Sequence, residues 1–283
     1  MRIANLHGRA VLIEGAAAID IAAASDGRFG PDPQALFDQW RAFAAWAATR
    51  EGTDAATSVP FEASELGAPV PRPPQVFAIG LNYAEHAAEA GYPPDELPVT
   101  FTKFPTSIVG PDTVVALPEG NVDWEVELVV VIGEEAFRVD RESAWDHVAG
   151  LTIGQDLSER LMQLQGTFPQ FSLGKSHPGF GPTGPWLVTP DELADKNDLA
   201  IACSLSGEQM QSSRTSMMLY DVPELLVRLS AVCPLLPGDI IFSGTPSGIG
   251  NRREPQRFIG EDDILVSEIE GLGTLTTRFR SGR

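Results

Sequence analysis

Lysine, histidine and cysteine are scarce in this chain of 283 residues. The two cysteines, Cys203 and Cys233, are too few for a disulfide-stapled fold and point to reduced thiols in a cytosolic protein. Positive charge is short as well, with 20 basic side chains against 39 acidic ones and a formal charge of −19. Such a balance cannot neutralise a run of phosphates, which excludes a nucleic-acid binder. It equally excludes electrostatic adhesion to an anionic membrane. Long hydrophobic runs are missing: Leu128–Ile132 is only strand-length. The opening MRIANLHGRAVLI is interrupted by His7, Gly8 and Arg9 before an apolar signal core can form. A cytoplasmic protein is therefore expected. Regular strand–helix alternation and fixed-period repeats are also absent, which argues against a Rossmann sheet or TIM barrel.

What is present is enough apolar material for a sizeable core, 43% of residues, with 21% charged. Residues 1–70 read as a small α+β unit. The alternating segments Arg2–Leu6 and Ala10–Glu14 flank a His-Gly turn and predict a hairpin. Leu36, Trp40, Phe43 and Ala47 recur at helical spacing behind Asp32 and Pro33, a cap and a first-turn proline. The proline-rich stretch 67–75 reads as a stiff boundary. Residues 71–283 are mainly β. Strands are predicted at Val76–Ile79, Asp123–Ile132, Leu151–Gln155, Trp186–Thr189, Leu199–Leu205, Asp239–Ser243, Asp263–Ile269 and Leu275–Phe279. Helices are predicted at Asn82–Ala90, Arg141–Asp146 and Val222–Ala231.

Five blocks carry candidate chemistry. In DWEVELVVVI, Glu125 and Glu127 stand at i and i+2 of a strand and project together. Two neighbouring carboxylates repel, and burial adds a desolvation cost that a hard divalent cation (Mg²⁺, Mn²⁺ or Ca²⁺) offsets. Read alone, the pair is equally a solvated strand face. Asp156 follows the short strand LTIG, where a turn residue is the plainer reading. Asn82 with Glu85 resembles a capping box, and on the helix behind it His86 and Glu89 are i and i+3 neighbours. A carboxylate beside an imidazole raises its basicity, as a general base requires, although exposed helical pairs of this kind are common. Lys175 lies in LGKSHPGFGP; Pro169 stands where a P-loop needs glycine, so a phosphate cradle is excluded and a partner for a substrate oxyanion remains. The Gly-rich loop that ends PGDIIFSGTPSGIG offers backbone N–H groups to a carboxylate but lacks the GxGxxG order of a dinucleotide site.

In their order, GLNYAEHAAEAG, DWEVELVVVIG, QDLSERLMQ, LGKSHPGFGPTGPWLVT, SGEQMQ, PGDIIFSGTPSGIG and GEDDILVSEIEGLGTL resemble the fumarylacetoacetate hydrolase superfamily over about 76–280. The leading residues resemble the small N-terminal domain of its bacterial acylpyruvase and isomerase-type members. The resemblance implies a mixed β-sandwich roll, a homodimer, and a divalent metal, most often Mg²⁺. It implies Glu125, Glu127 and Asp156 as metal ligands, and His86, Glu89 and Lys175 as the catalytic residues. Tyr83, Arg160, Gln163 and Thr245 are then the residues expected on the substrate side. Three positions depart from the family pattern: Leu161 and Pro178 replace acidic residues, which alters the expected pocket wall, and Ile79 replaces a further metal-binding Asp.

The implied activity is hydrolytic cleavage of a C–C bond in a 2-oxo acid or β-diketone, with His86 and Glu89 activating water. Decarboxylation of an oxaloacetate-type β-keto acid and isomerisation of a hydroxydienoate use the same constellation. A catalytically silent metal-binding scaffold is the remaining alternative. The expected picture is an acidic shell around an electropositive, metal-centred pocket.

Overall fold

Val126–Ile132 is the strand around which the rest is arranged, and all of its residues are buried, as the apolar run Leu128–Ile132 predicts for most of it. Alternate side chains serve opposite faces: Leu128, Val130 and Ile132 enter one hydrophobic cluster, Val129 and Val131 another. The computed structural model describes residues 1–50, 58–85 and 98–282. Val126–Ile132 pairs antiparallel with Val148–Gln155 on one side and Ile240–Phe242 on the other. Ile240–Phe242 in turn runs parallel to Val76–Gly80, so the sheet is mixed. A second sheet holds, in order, Glu208–Arg214, Ala200–Leu205, Ile264–Ile269, Gly273–Ser281 and Asp112–Leu117. Leu128 and Val130 of the first sheet share a core with Ile201, Leu265 and Leu275 of the second. The architecture is thus the expected mainly-β sandwich of mixed sheets.

The predicted N-terminal hairpin forms as Arg2–Leu6 with Arg9–Glu14, turning through His7 and Gly8 at φ 51° and 81°. The periodic segment behind it divides into a 3₁₀ stretch, Gln34–Gln39, and an α-helix, Trp40–Ala48. Trp40 and Phe43 from that helix pack in the cluster that holds Val129, Val131 and Phe242. Arg2–Leu6 also pairs with Gly181–Val188. The leading 70 residues therefore share a sheet and a core with the larger C-terminal part of the chain.

The strand expected at Asp123–Ile132 is interrupted. Val122–Asp123 pairs with Ser158–Glu159, and the long strand begins at Val126. Side chains take the intervening backbone donors: Trp124 N–H goes to Asp123 Oδ1 at 2.9 Å, and Glu125 N–H to Gln155 Oε1 at 2.9 Å. The helix expected at Arg141–Asp146 is a 3₁₀ turn, Ala144–His147, whereas Val222–Ser230 is helical with Asp221 as its cap. No helix among the described residues is long and apolar enough to cross a membrane.

Gly154 lies opposite Glu127 across the central ladder. A Cβ there would stand 2.5 Å from Val129 Cγ2 and 2.6 Å from the Phe242 ring. Gly154→Ala is expected to lower stability by about 1–3 kcal/mol, the usual cost of overpacking. Guanidinium-chloride denaturation reads it as a lower midpoint at unchanged slope.

Candidate active site

The antiparallel register that sets Val126 against Gln155 brings the residues just outside each strand together. Asp156 N–H donates to Glu125 O at 2.9 Å, so the carboxylate after one strand meets the carboxylate before the other. Glu127 is one residue inside its strand and projects to the same side. One oxygen from each of Glu125, Glu127 and Asp156 lies within 4.8 Å of the others, and all three residues are buried.

Three cations answer this charge. Lys175 Nζ donates to Glu125 Oε2 at 2.7 Å, Asp156 Oδ2 at 2.6 Å and Ser158 Oγ at 2.8 Å. Lys103 Nζ donates to Asp156 Oδ1 at 2.7 Å and to the carbonyl of Lys175. Arg160 reaches Glu125 Oε1 through Nη1 at 2.8 Å and Asp123 Oδ2 through Nε at 2.8 Å. Burial works to lower the Lys175 pKa, but Asp156 and Glu125 outweigh it and hold the ammonium above its usual range. Burial also acts against the Arg160 charge, and Asp123 and Glu125 overcome it. At Lys103 burial prevails and, with the neighbouring Lys175 charge, pushes the pKa down despite Asp156.

Glu127 is the exception. Its carboxylate accepts from Gly244 N–H at 2.7 Å and makes no ion pair with another described residue. Burial first, then the charges of Asp156 and Glu125, raise its pKa well above the ordinary carboxylate value. With Asp123 counted, four buried carboxylates face three buried cations, so the fully ionised cluster has one negative charge in excess, an imbalance that favours a proton or a cation at Glu127. The chemistry of the donor set fits a hard divalent ion: all donors are carboxylate oxygens, and no cationic side chain among the described residues pairs with Glu127.

Asp123 and Lys103 join the site although neither stands out as a site residue in the sequence. Asp123 Oδ1 accepts from Trp124 N–H and, at 2.7 Å, Gly250 N–H; its Oδ2 accepts from Asn251 N–H at 2.9 Å as well as from Arg160. It ties the helix start at Arg160 to the loop at Gly250 and Asn251. The one available signal for Lys103 is the rarity of lysine.

A cavity of about 320 Å³ opens on Glu125, Glu127, Lys175, Arg160 and Gln163. Gln163 accepts from Arg160 Nη1 at 2.8 Å. Thr245 also lines it, although its hydroxyl is engaged with Val126 O at 2.9 Å and Gln211 Nε2 at 2.8 Å. The Gly-rich loop directs Gly244 N–H at the protein's own Glu127. Tyr83 lies off this cavity: it is buried, lines a small separate recess, and its hydroxyl has no hydrogen-bond partner among the described residues. Asn82 does not simply cap a helix; its side-chain amide donates to Ser243 O at 2.7 Å and Tyr220 O at 2.9 Å. His86 and Glu89 lie outside the described residues. Of the three departures from the family pattern, Ile79 lines the cavity. Leu161 is 60% exposed and Pro178 lines a different cavity, so neither forms the pocket wall expected of it.

Removing Asp123 would strand Arg160 and three backbone N–H groups in a buried place. Asp123→Ala is expected to cost about 3–5 kcal/mol, the range for breaking a buried ion pair on one side. Asp123→Asn, which keeps the acceptor oxygen, is expected to cost less in the same denaturation experiment.

Comparison with known proteins agrees with this geometry. Residues 75–280 match the fumarylacetoacetate (FAA) hydrolase C-terminal family. The mitochondrial oxaloacetate tautomerase FAHD2A of Bos taurus is 44% identical over 213 residues, 75% of this chain and 68% of that protein. A crystal structure from Mycobacterium smegmatis is 50% identical over the whole of both chains, with a TM-score of 0.94. Maleylpyruvate hydrolase from Sphingobium sp. SYK-6, solved with manganese(II) and pyruvate, is 26% identical over both whole chains at a TM-score of 0.77. The chain belongs to the fumarylacetoacetate hydrolase family.

Proposed function

We propose that the chain is a divalent-metal-dependent enzyme that carries a 2-oxo acid through its enolate, with keto–enol tautomerisation as the net reaction. The observation that carries this reading is the buried, uncompensated carboxylate of Glu127 beside Glu125 and Asp156. These three would hold the ion, which when bound supplies Lewis-acid polarisation of the 2-oxo group. Lys175 is held protonated between Glu125 and Asp156, so its part is to stabilise developing negative charge, not to remove a proton. Arg160 and Gln163, locked to each other, form one polar wall; Val99, Phe101 and Phe171 form an apolar one that limits water. His86, set beside Glu89 in the sequence, is the proposed base that moves the proton between carbon and oxygen.

Tautomerisation is favoured over C–C hydrolysis by the 44% identity to a protein named for oxaloacetate tautomerisation. Hydrolysis is the second reading. It is supported by the His86–Glu89 pair, which could equally activate water, and by the more distant similarity to maleylpyruvate hydrolase.

The test uses protein stripped with EDTA and reloaded with Mg²⁺ or Mn²⁺. Loss of the ultraviolet absorbance of enol-oxaloacetate should depend on the metal and release no CO₂. Acylpyruvates should be cleaved slowly or not at all; rapid cleavage would select hydrolysis, and CO₂ release decarboxylation. Inactivity on every 2-oxo acid offered would leave the silent scaffold. Lys175→Met is expected to lower kcat by about 10²–10³-fold, the usual effect of removing one preorganised charge-stabilising group.

A further inference from the structure

We infer that Arg252 binds a second carboxylate on the substrate, making this site selective for dicarboxylic over monocarboxylic 2-oxo acids. The inference rests on the 2-oxo acid reading above and adds to it the residue that distinguishes the two classes. Among the described residues, three cationic side chains line the cavity: Arg160, Lys175 and Arg252. The first two are buried and paired with the carboxylates of the cluster. Arg252 is exposed and makes no ion pair with another described residue.

Charge balance gives this difference its meaning. The buried carboxylates Asp123, Glu125, Glu127 and Asp156 exceed Lys103, Lys175 and Arg160 by one negative charge. A divalent ion reverses that excess to one positive charge, which the carboxylate of a 2-oxo acid cancels. A second carboxylate would find no counter-charge inside the cluster and would have to meet one elsewhere on the cavity wall. Arg252 is the cation available there among the described residues.

Its backbone is held firmly enough for selectivity. Gly250–Arg252 is a 3₁₀ turn whose Gly250 and Asn251 N–H groups both bind Asp123. A Cβ on Gly250 would collide with the carbonyl of Arg257, so the turn is packed against its neighbours. Asp123 therefore positions both guanidinium-bearing segments, one deep in the cavity and one at its rim. The neighbouring arginine is engaged elsewhere, since Arg253 Nη2 donates to Met210 O at 2.9 Å and its guanidinium lies 6.0 Å from the Trp124 ring centroid. Ile249, Val99 and Phe171 provide an apolar path for the carbons between two carboxylates. A guanidinium presents paired N–H groups that match a carboxylate, a geometry that lysine lacks.

The experiment is calorimetric titration of the Mn²⁺-loaded full chain with pyruvate and with 2-oxoglutarate, which differ in the second carboxylate. Wild type is expected to bind 2-oxoglutarate more tightly. Arg252→Ala should lower the preference for 2-oxoglutarate over pyruvate by about tenfold, the lower end for a charge-assisted hydrogen-bonded contact. Arg252→Lys should recover only part of it. In kinetics on oxaloacetate the loss should fall on KM more than on kcat. Equal weakening of both ligands, or an unchanged preference in an Arg252→Ala protein with a wild-type unfolding curve, would overturn the assignment. Wild-type protein that binds neither ligand would overturn the 2-oxo acid reading and this inference with it.

Discussion

Four carboxylates with almost no access to water are the constraint on which this structure depends. Asp123, Glu125, Glu127 and Asp156 come together at one end of the central ladder, where their repulsion and desolvation oppose folding. Two of the protein's three lysines and one arginine are drawn into the same place to offset them. The pairing stops one charge short, at Glu127. A fold made only for stability would gain from apolar residues here, since buried ion networks seldom outperform well-packed hydrophobic side chains. Retaining the network, and leaving it incomplete, matches a centre that can take up a cation and, with it, an anionic ligand.

The surrounding sandwich supplies what such a cluster needs. Val126–Ile132 is buried on both faces, so the strand that carries Glu127 is held by packing from either side. Gly154 lets Val129 and Phe242 close over the adjacent strand. Asp123, outside the carboxylate triad, joins the short helix Arg160–Gln163 to the Gly250–Arg252 turn, and Asn82 joins the segment behind Val76–Gly80 to Ser243 and Tyr220. These ties bring three remote parts of the chain to one cavity wall. Membership of the fumarylacetoacetate hydrolase family rests on the match over residues 75–280 and on the 44% identity to the bovine relative, not on any single tie.

Much of this is legible in the residues. The period-two placement of Glu125 and Glu127 points to carboxylates sharing one side, and the two do meet, although Glu125 stands just before the strand and not on it. The helix beginning at Val222 carries its own cap and proline. Other elements differ from their sequence reading for identifiable reasons. The break at Trp124 and Glu125 arises because Asp123 and Gln155 side chains capture backbone donors, an event that strand periodicity does not record. Asn82 resembles a local cap because its spacing to Glu85 is local, whereas its amide partners are more than 130 residues away. Leu161 and Pro178 suggest changes to a pocket wall, yet both side chains lie off the cavity.

The three acids that converge were implied by the family resemblance; what the amino-acid sequence alone determined is the mainly-β class and the strongly acidic charge balance. Composition and short-range spacing are sufficient for these, because strand alternation and net charge are properties of neighbours and of sums. Only the tertiary structure decided that Asp123 and Lys103 belong to the site, that Tyr83 lies off the cavity, and that Arg252 is left without an ion-pair partner among the described residues. Each of these depends on which distant side chains meet in a low-dielectric interior, where one missing counter-charge matters more than the global balance. The chain's charge of −19 says how acidic the protein is. It does not say that one acid, Glu127, has no ion-pair partner among the described residues.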